Sequence, residues 1–312
     1  VGGFALDANS TGANNTAVGV NALGANTTAS NNTAMGLSAL LFNTTGANNV
    51  AVGAFALFAN TTASNNTAVG HNSLKSNTTA SNNSAFGYHA LEDNTTGTQN
   101  NAFGRGVLEE NTTGSNHVAV GNNALNTNTT GDNNNAVGVN ALTANTTGTN
   151  NLAVGVNTLD ANTTGTDNVA VGNSALGSMV SGTFNVAVGV GSLGSATGFR
   201  MTAVGHRTGE NTTSATDNTI VGYASQLVTT GSSNSSLGSF SLVNNTTGHD
   251  NTAVGRSALG SNVSATHNTA VGSLALDACT TGNNNVAVGA SAATSVTTAL
   301  NTIAIGQSAL SS

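Results

Sequence analysis

A single motif, Asn-Thr-Ala-Val-Gly-x-x-Ala-Leu, recurs along the whole chain at an almost constant spacing. Its glycine marks each repeat, and positions are numbered here from this motif glycine, so that −1 is the residue before it. Of the 18 intervals between successive motif glycines, 16 are 17 residues long and two are 16. Such a period predicts a stack of equivalent units rather than separate globular domains. The motif glycines are Gly2, Gly19, Gly36, Gly53, Gly70, Gly87, Gly104, Gly121, Gly138, Gly155, Gly172, Gly189, Gly205, Gly222, Gly238, Gly255, Gly272, Gly289 and Gly306.

Each repeat contains two short apolar segments, the Ala-Val and the Ala-Leu of the motif, separated by turns rich in Gly and Asn. Such segments are typical of short strands, and no apolar spacing of three or four residues persists to indicate a helix. The predicted fold class is therefore all-β: a parallel β-solenoid, or β-roll, of about 18 coils with mostly 17 residues per coil. We expect one repeat domain over residues 1–312, as a segment of a longer chain, with irregular coils at 177–234.

Asparagine occupies two positions of the repeat so regularly that it should form columns along the stack. At −4, 15 of 18 residues are Asn, and the exceptions are His117, Met201 and Thr302. Stacked amides of this column can hydrogen-bond from coil to coil. The tract Asn-Thr-Thr-Gly forms the second column and matches the N-glycosylation sequon. It predicts either a ladder of glycans or a turn with stacked hydroxyls. The sequon column includes Asn26, Asn43, Asn60, Asn77, Asn94, Asn111, Asn128, Asn145 and Asn162.

The alternation of side chains along a strand predicts an apolar outer face. Val18 and Ala17 should point in opposite directions, and so should Leu23 and Ala22. One face would fill the interior of the coil, and the other would form an apolar stripe of a kind that soluble monomers rarely expose. We therefore expect the chain to associate with copies of itself, either side by side or, through open strand edges, as an end-to-end filament.

Composition excludes several classes of partner. Only 5% of the residues are charged and the net charge is −7, so the clustered Lys and Arg of a nucleic-acid-binding surface are missing. No run of about 18 apolar residues is present, so we expect no direct membrane insertion by this segment. No nucleophile, base and orienting group recur in a common pattern, so the sequence predicts no catalytic residues, no cofactor and no enzyme activity.

No two histidines occupy the same column in neighbouring coils. The histidines are therefore expected to be scattered over the surface, without a metal site. Glu92-Asp93 and Glu109-Glu110 lie in adjacent coils near the same corner, where they form either a cation site or, as we interpret them, a solvated face. Cys279 replaces the Asn of an Asn-Thr-Thr-Gly tract and is interpreted as a surface substitution. The histidines are His71, His89, His117, His206, His249 and His267.

The irregular coils carry a candidate recognition patch. Here the Asn-Thr-Thr-Gly tract fails, both 16-residue intervals occur, and aromatic and charged residues appear together. Binding residues often concentrate where a scaffold departs from regularity, although a plain irregularity of the stack accounts for the same pattern. The candidate patch consists of Phe199, Arg200, His206, Arg207 and Glu210.

The repeated motif resembles the head repeat of trimeric autotransporter adhesins and similar repeats of bacteriophage and prophage tail fibres. The likeness covers residues 1–312, although the adhesin repeat is shorter and lacks the regular Asn-Thr-Thr-Gly tract. The resemblance implies a left-handed parallel β-roll in which three chains lie side by side, as a homotrimer.

The function expected from these observations is the structural rod of an extracellular or surface fibre, adhesin-head-like and non-enzymatic. Its partners would be further copies of the chain and a host-surface or matrix ligand. The alternatives are a virion tail-fibre shaft and a filament subunit that stacks end to end. A minor alternative is the binding of ice or a polysaccharide by the ladders of threonine. Each places the protein outside the cell, on a cell surface or on a virion.

Overall fold

The computed structural model describes residues 2–311, and it is an all-β parallel solenoid of about 17–18 coils with 17 residues per coil. Residues 2–311 contain no helix. The predicted fold class is therefore confirmed. The chain divides into two compact units, Val1–Ala153 and Val154–Ser312. The strands are β1 Thr16–Val18, β2 Thr33–Met35, β3 Val50–Val52, β4 Thr67–Val69, β5 Ser84–Phe86, β6 Asn101–Phe103, β7 Val118–Val120, β8 Asn135–Val137, β9 Leu152–Val154, β10 Val169–Val171, β11 Val186–Val188, β12 Thr202–Val204, β13 Asn211–Thr212, β14 Thr219–Val221, β15 Val228–Thr229, β16 Ser235–Leu237, β17 Thr252–Val254, β18 Thr269–Val271, β19 Val286–Val288 and β20 Ile303–Ile305.

The repeat period sets the register of the sheet in each unit. In the first unit, β1 to β8 pair in parallel and in sequence order, so that Thr16 lies beside Thr33 and Val18 beside Met35. In the second unit, β10, β11, β12, β14 and β16 to β20 pair in the same way. The two shorter repeats fall between β11 and β12 and between β14 and β16. Equivalent residues therefore stay aligned even where a coil loses one residue.

The prediction of two strands per coil is wrong, because most coils contain a single strand of three residues. The second apolar segment is a tight turn in which Asn21 and Leu23 have left-handed backbones, with φ of 60° and 52°. Side chains alternate between faces only along an extended backbone. Ala22 and Leu23 are consequently both buried, and the expectation that they point in opposite directions is also wrong. The turn still bonds to its neighbour, since Leu23 N donates to Ala39 O over 3.1 Å.

Small side chains fill the interior of each coil. The alanine of the strand, at −2, and the Ala-Leu pair at +3 and +4 are fully buried, as in Ala51, Ala56 and Leu57. The residue at −1 lies on the opposite side of the strand from the alanine at −2, as the alternation predicts, and is more exposed. The interior is thin, and much of the remaining space is filled by asparagine amides.

The column of Asn at −4 forms the predicted hydrogen-bonded ladder. Asn32 N donates to Asn15 Oδ1 over 2.9 Å, and Asn32 Nδ2 donates to Gly46 O over 2.9 Å. The sequon column forms a second ladder, in which Asn43 Nδ2 donates to Asn26 Oδ1 at 3.0 Å and to Gly46 O at 2.9 Å. Both ladders lie inside the coil, so they satisfy buried backbone carbonyls that no strand pairing reaches.

The sequons are therefore turns and not glycan acceptors in the folded protein. Asn43 is fully buried, and both hydrogens of its Nδ2 are engaged. The first threonine of the tract adds a hydroxyl ladder, since Thr44 Oγ1 donates to Thr61 O over 3.1 Å. A glycan on the amide would have to displace the ladder bonds and pass through the packed wall of the coil.

The coils at 177–234 lack the sequon ladder. Met179, Ala196, Thr212 and Thr229 replace its Asn, and the short strands β13 and β15 pair in parallel at the last two of these positions. The interior changes as well. Gly209 stands where most coils have a buried Leu, and a Cβ there would lie 2.8 Å from the Cδ1 of Ile220, which replaces the usual strand Ala. A large residue thus fills the space that a small one vacates.

Candidate functional site

An apolar stripe runs along the outer face of the sheet in each unit. It consists of the residues at −1, which the predicted alternation places outside. In the first unit Val18 and Met35 are 41% and 44% exposed, and the rings of Phe86 and Phe103 stack with centroids 4.9 Å apart. In the second unit Leu237 is 49% exposed. The outer face predicted from the sequence is confirmed for the strand, and it is a surface that could meet another apolar surface.

Aromatic side chains stack from coil to coil beside this stripe, at +1 and +2. In the first unit the Tyr88 ring stacks on His71 at 5.5 Å and on His89 at 3.8 Å between centroids. The Arg105 guanidinium lies 6.0 Å from the Tyr88 centroid. In the second unit Tyr223 similarly contacts the rings of its neighbours in adjacent coils. These ladders are exposed and combine flat apolar faces with charged edges.

His89, Glu92 and Glu109 converge in the first unit, and we refer to them as the His–Glu cluster. His89 Nδ1 lies 2.7 Å from Glu92 Oε2 and 3.1 Å from Glu109 Oε1. Lys75 Nζ lies 3.2 Å from Glu92 Oε1, and Asn72 Nδ2 donates to the same oxygen over 3.0 Å. His89 therefore lies against two carboxylates from successive coils, a contact that the sequence did not predict.

The backbone of the coil explains this convergence. His89 is at +2 and has a left-handed backbone, φ 59°, which folds the chain so that its side chain meets that of Glu92 at +5. Glu109 is the +5 residue of the next coil and stacks against Glu92 in register. Burial raises the pKa of neighbouring Asp93, and the negative charges of Glu92 and Glu109 raise it further. The corner therefore concentrates negative charge.

A cavity of about 200 Å³ opens beside the cluster because Gly106 has no side chain at +2. A Cβ at Gly106 would lie 2.8 Å from Asn123 Oδ1 and 3.1 Å from Glu109 Oε2. The cavity is lined by Tyr88, His89, Arg105, Gly106, Glu109 and Asn123.

The second unit contains a similar gap, which lies in the columns at +2 and +5. Glycines at +2 and +5 leave a polar trough of about 320 Å³ with a carboxylate near each end. Burial raises the pKa of one of these carboxyls, that of Asp160. The trough is lined by Asn157, Asp160, Ser174, Gly177, Ser178, Gly191, Gly194, Ser195 and Glu210.

The candidate recognition patch separates into two groups at different corners. Arg200 lies 5.1 Å from the Phe199 ring and pairs with Asp217, through Nε to Oδ1 at 2.7 Å. The hydrogen bond from Arg200 lowers the pKa of Asp217. Arg207 Nε donates to Glu210 Oε2 over 2.6 Å. His206 stacks on Tyr223 and belongs to the second group. Among residues 2–311 no hydrogen bond, ion pair or ring contact joins the two groups.

A second group of potential metal ligands lies on a corner of the second unit. His249 Nδ1 lies 2.7 Å from Asp250 Oδ2, and His267 Nε2 lies 3.7 Å from the same oxygen. All three side chains are exposed. Alignment of the repeats did not reveal this pair of histidines, because they occupy two neighbouring columns, −6 and −5, rather than one.

Two residues of the interior also differ from their predicted environment. His117 is fully buried in the Asn column at −4, where burial lowers the pKa of its imidazole to about 4. Cys279 is fully buried as well, so its interpretation as a surface substitution is wrong. The Asn that it replaces points inward, and burial raises the pKa of the Cys279 thiol. A raised thiol pKa disfavours the reactive thiolate.

The fold defines the chain as a β-solenoid repeat protein that acts as a structural scaffold. No model of a known protein family matches the chain, and no curated protein matches it. Within residues 2–311 no helix is long and apolar enough to cross a membrane.

Proposed function

We propose that this chain is the structural rod of an extracellular or surface fibre, and that it assembles side by side with two further copies of itself. The observation that carries the proposal is the apolar stripe. In both units large apolar side chains stand at the same strand position, exposed in ten of the 18 coils and half-buried in the other eight. Contiguous apolar surface of this kind marks interaction sites on soluble proteins.

A second copy of the chain is the occupant that fits the stripe best. The residues at −1 recur at the spacing of parallel strands, about 4.8 Å. Another copy presents the same side chains at the same spacing, so every coil can contact an equivalent coil. Rings such as the stacked pair Phe86 and Phe103 supply much of the area that would be buried.

The interior of the coil supports a mechanical role. Backbone hydrogen bonds link neighbouring coils at strands and corners alike, and two amide ladders run through the middle. Each coil of such a stack is stabilised by contacts with its two neighbours, so the stack can extend along its axis without a large core. The resemblance to adhesin heads supports a surface fibre, with a host-surface or matrix ligand. A virion tail-fibre shaft and an end-to-end filament are the alternatives.

Sedimentation velocity at micromolar concentration tests the assembly. We expect a species of three times the 30.3 kDa chain mass. The triple variant Phe86→Thr, Phe103→Thr and Val120→Thr keeps strand-forming residues but removes apolar area, and should sediment as a monomer. Particles that grow without limit would instead support the end-to-end filament.

A matched control changes three exposed side chains of the sequon turns on the same unit, Thr62→Ala, Thr79→Ala and Thr96→Ala. This control should keep the mass of the wild-type assembly. A wild-type protein that is monomeric at micromolar concentration would refute side-by-side assembly.

A further inference from the structure

We propose that the His–Glu cluster, formed by His89, Glu92 and Glu109, binds a divalent metal ion of the zinc type. The three side chains belong to two successive coils of the first unit, and one ligand atom from each lies within 4.8 Å of the others. They are partly buried rather than fully exposed. Nothing in the proposed fibre function requires this site.

The distances of the cluster suit a small ion. Zinc binds imidazole nitrogen and carboxylate oxygen at about 2.0–2.2 Å, which places its ligand atoms about 3.4 Å apart in a tetrahedral site. His89 Nδ1 already lies 2.7 Å and 3.1 Å from the two carboxylates. A slight expansion therefore seats the ion in place of the Nδ1 proton that the two carboxylates accept, and the coordinated imidazole keeps its proton on Nε2.

Neighbouring amides hold the carboxylates in place. Asn72 Nδ2 donates to Glu92 Oε1 over 3.0 Å, and Asn126 Nδ2 donates to Glu109 Oε2 over 3.1 Å. Each bond engages an oxygen other than the one that approaches His89. Outer hydrogen bonds of this type orient metal ligands and strengthen binding.

The local charge also favours a cation. The carboxylates of Glu92 and Glu109 come from adjacent coils, and both lie within 3.1 Å of His89 Nδ1. Lys75 offsets part of this charge at Glu92 Oε1, but its side chain is 41% exposed and free to swing into solvent. A dication at the cluster would neutralise both carboxylates at once.

The cavity beside Gly106 supplies the open coordination position. It borders His89 and Glu109 and has space for water or for a donor atom from another molecule. Three protein ligands and one open position are the arrangement of zinc sites that exchange their fourth ligand. Calcium is a poor match, because it takes six to eight oxygen ligands and the cluster offers a nitrogen and few oxygens.

Zinc binding at the exposed group of His249, Asp250 and His267 must be eliminated before the measurement, because two histidines and a carboxylate can also bind zinc. The substitution His267→Asn does so in the other unit and leaves the His–Glu cluster untouched. All titrations therefore use the full chain carrying His267→Asn.

Isothermal titration with zinc chloride tests the proposal. The His267→Asn protein should bind one zinc ion per chain, and adding Glu109→Gln should weaken the affinity at least tenfold. Glu110→Gln is the matched control, because Glu110 is the exposed next residue, and it should change affinity less than twofold. Calcium chloride should give no saturable heat.

Cobalt chloride provides a second readout, because a four-coordinate cobalt ion absorbs visible light far more strongly than hydrated cobalt. The band should appear with the His267→Asn protein and disappear with the added Glu109→Gln. Circular dichroism confirms that each variant is folded. Equal zinc affinity with and without Glu109→Gln, or no binding at millimolar zinc, would overturn the proposal.

Discussion

The buried histidine of the Asn column makes stability depend on pH in a defined way. The backbone N–H of His117 donates to Asn100 Oδ1 over 3.1 Å and so continues the hydrogen-bonded ladder at −4. Its ring meets Asn134 N at Nδ1, over 3.2 Å, and Asn128 Nδ2 at Nε2, also over 3.2 Å. A neutral imidazole donates at one ring nitrogen and accepts at the other: Nδ1–H can donate to Asn134 O over 3.3 Å while Nε2 accepts from Asn128 Nδ2. A second ring proton would remove the one acceptor that the ring offers to these buried donors.

The size of the effect follows from the pKa of His117. Burial lowers this pKa from 6.5 to about 4 in the folded state. Between these two values the unfolded chain binds a proton that the folded chain does not, so stability falls as pH falls from 6.5 to 4. Each pKa unit corresponds to about 1.4 kcal/mol, which gives a loss of roughly 2.5 kcal/mol by pH 4.5. Above pH 6.5 this contribution is constant.

The substitution His117→Asn should remove this dependence. An amide at this position can donate to Gly131 O, as Asn100 donates to Gly114 O over 2.9 Å, and its oxygen can accept from Asn134 N. We expect a gain of about 1 kcal/mol at pH 7.5 from the restored hydrogen bonds. At pH 4.5 the gain should rise to about 3.5 kcal/mol, because the protonation penalty is also lost.

Urea unfolding followed by far-ultraviolet circular dichroism measures both values. The quantity to compare is the difference between the two proteins at each pH, because the other titrating groups are common to both and largely cancel. A difference that stays constant between pH 7.5 and pH 4.5 would refute the assignment of a depressed pKa to His117.

Four further substitutions test the packing of the coil. Gly53→Ala should cost at least about 3 kcal/mol, because φ is 136° and a Cβ would overlap the carbonyl oxygen of Gly70. Asn60→Ala should cost about 2–4 kcal/mol, since it leaves ladder partners above and below unsatisfied. Gln226→Leu should stabilise by about 2–3 kcal/mol, because neither amide atom of this buried side chain has a hydrogen-bond partner among the described residues. Cys279→Asn should stabilise by about 1 kcal/mol by restoring the sequon ladder.

Urea unfolding also measures these four changes, and the first two have a matched reference. Gly3→Ala should be neutral, because a Cβ there meets no atom within 4 Å. Thr62→Ala, two residues from the Asn60 amide and exposed, should cost less than about 0.5 kcal/mol. A thiol reagent should label Cys279 only after unfolding. Rapid labelling of the folded protein, or a destabilised Gln226→Leu variant, would contradict the described interior.

The repeat period was enough to predict the fold, because stacking places each residue beside its equivalent in the next coil. The 17-residue spacing therefore fixed both the register of the strands and the amide column at −4. The second strand was predicted wrongly for a local reason. Leu23 adopts φ of 52°, which non-glycine residues other than Asn and Asp seldom do. The residues Ala-Leu alone do not distinguish a strand from a turn.

The candidate site was predicted only in part. Glu92 and Glu109 share a column, so the sequence predicted them to be neighbours. His89 lies three residues before Glu92 in another column, and the sequence analysis did not link it to either carboxylate. The left-handed backbone of His89, at +2, is what brings its side chain against the two carboxylates. The signal that could have found the cluster is the combination of a histidine at +2 with carboxylates at +5 in the same and the next coil.

The columns at +2 and +5 differ from the rest of the repeat in how freely their residues vary. The interior positions at −2 and +4 are nearly always Ala and Leu, because their side chains must fit inside the coil. At +5, by contrast, Lys75, Glu92, Glu109 and Asn126 follow one another in successive coils. These side chains face outward and bond mainly to each other, so they can change without altering the coil. Both cavities lie in these columns, at places where glycine interrupts them. Within each unit, a fixed interior therefore leaves the columns at +2 and +5 free to carry different side chains, and in the first unit the proposed zinc ligands lie in these columns.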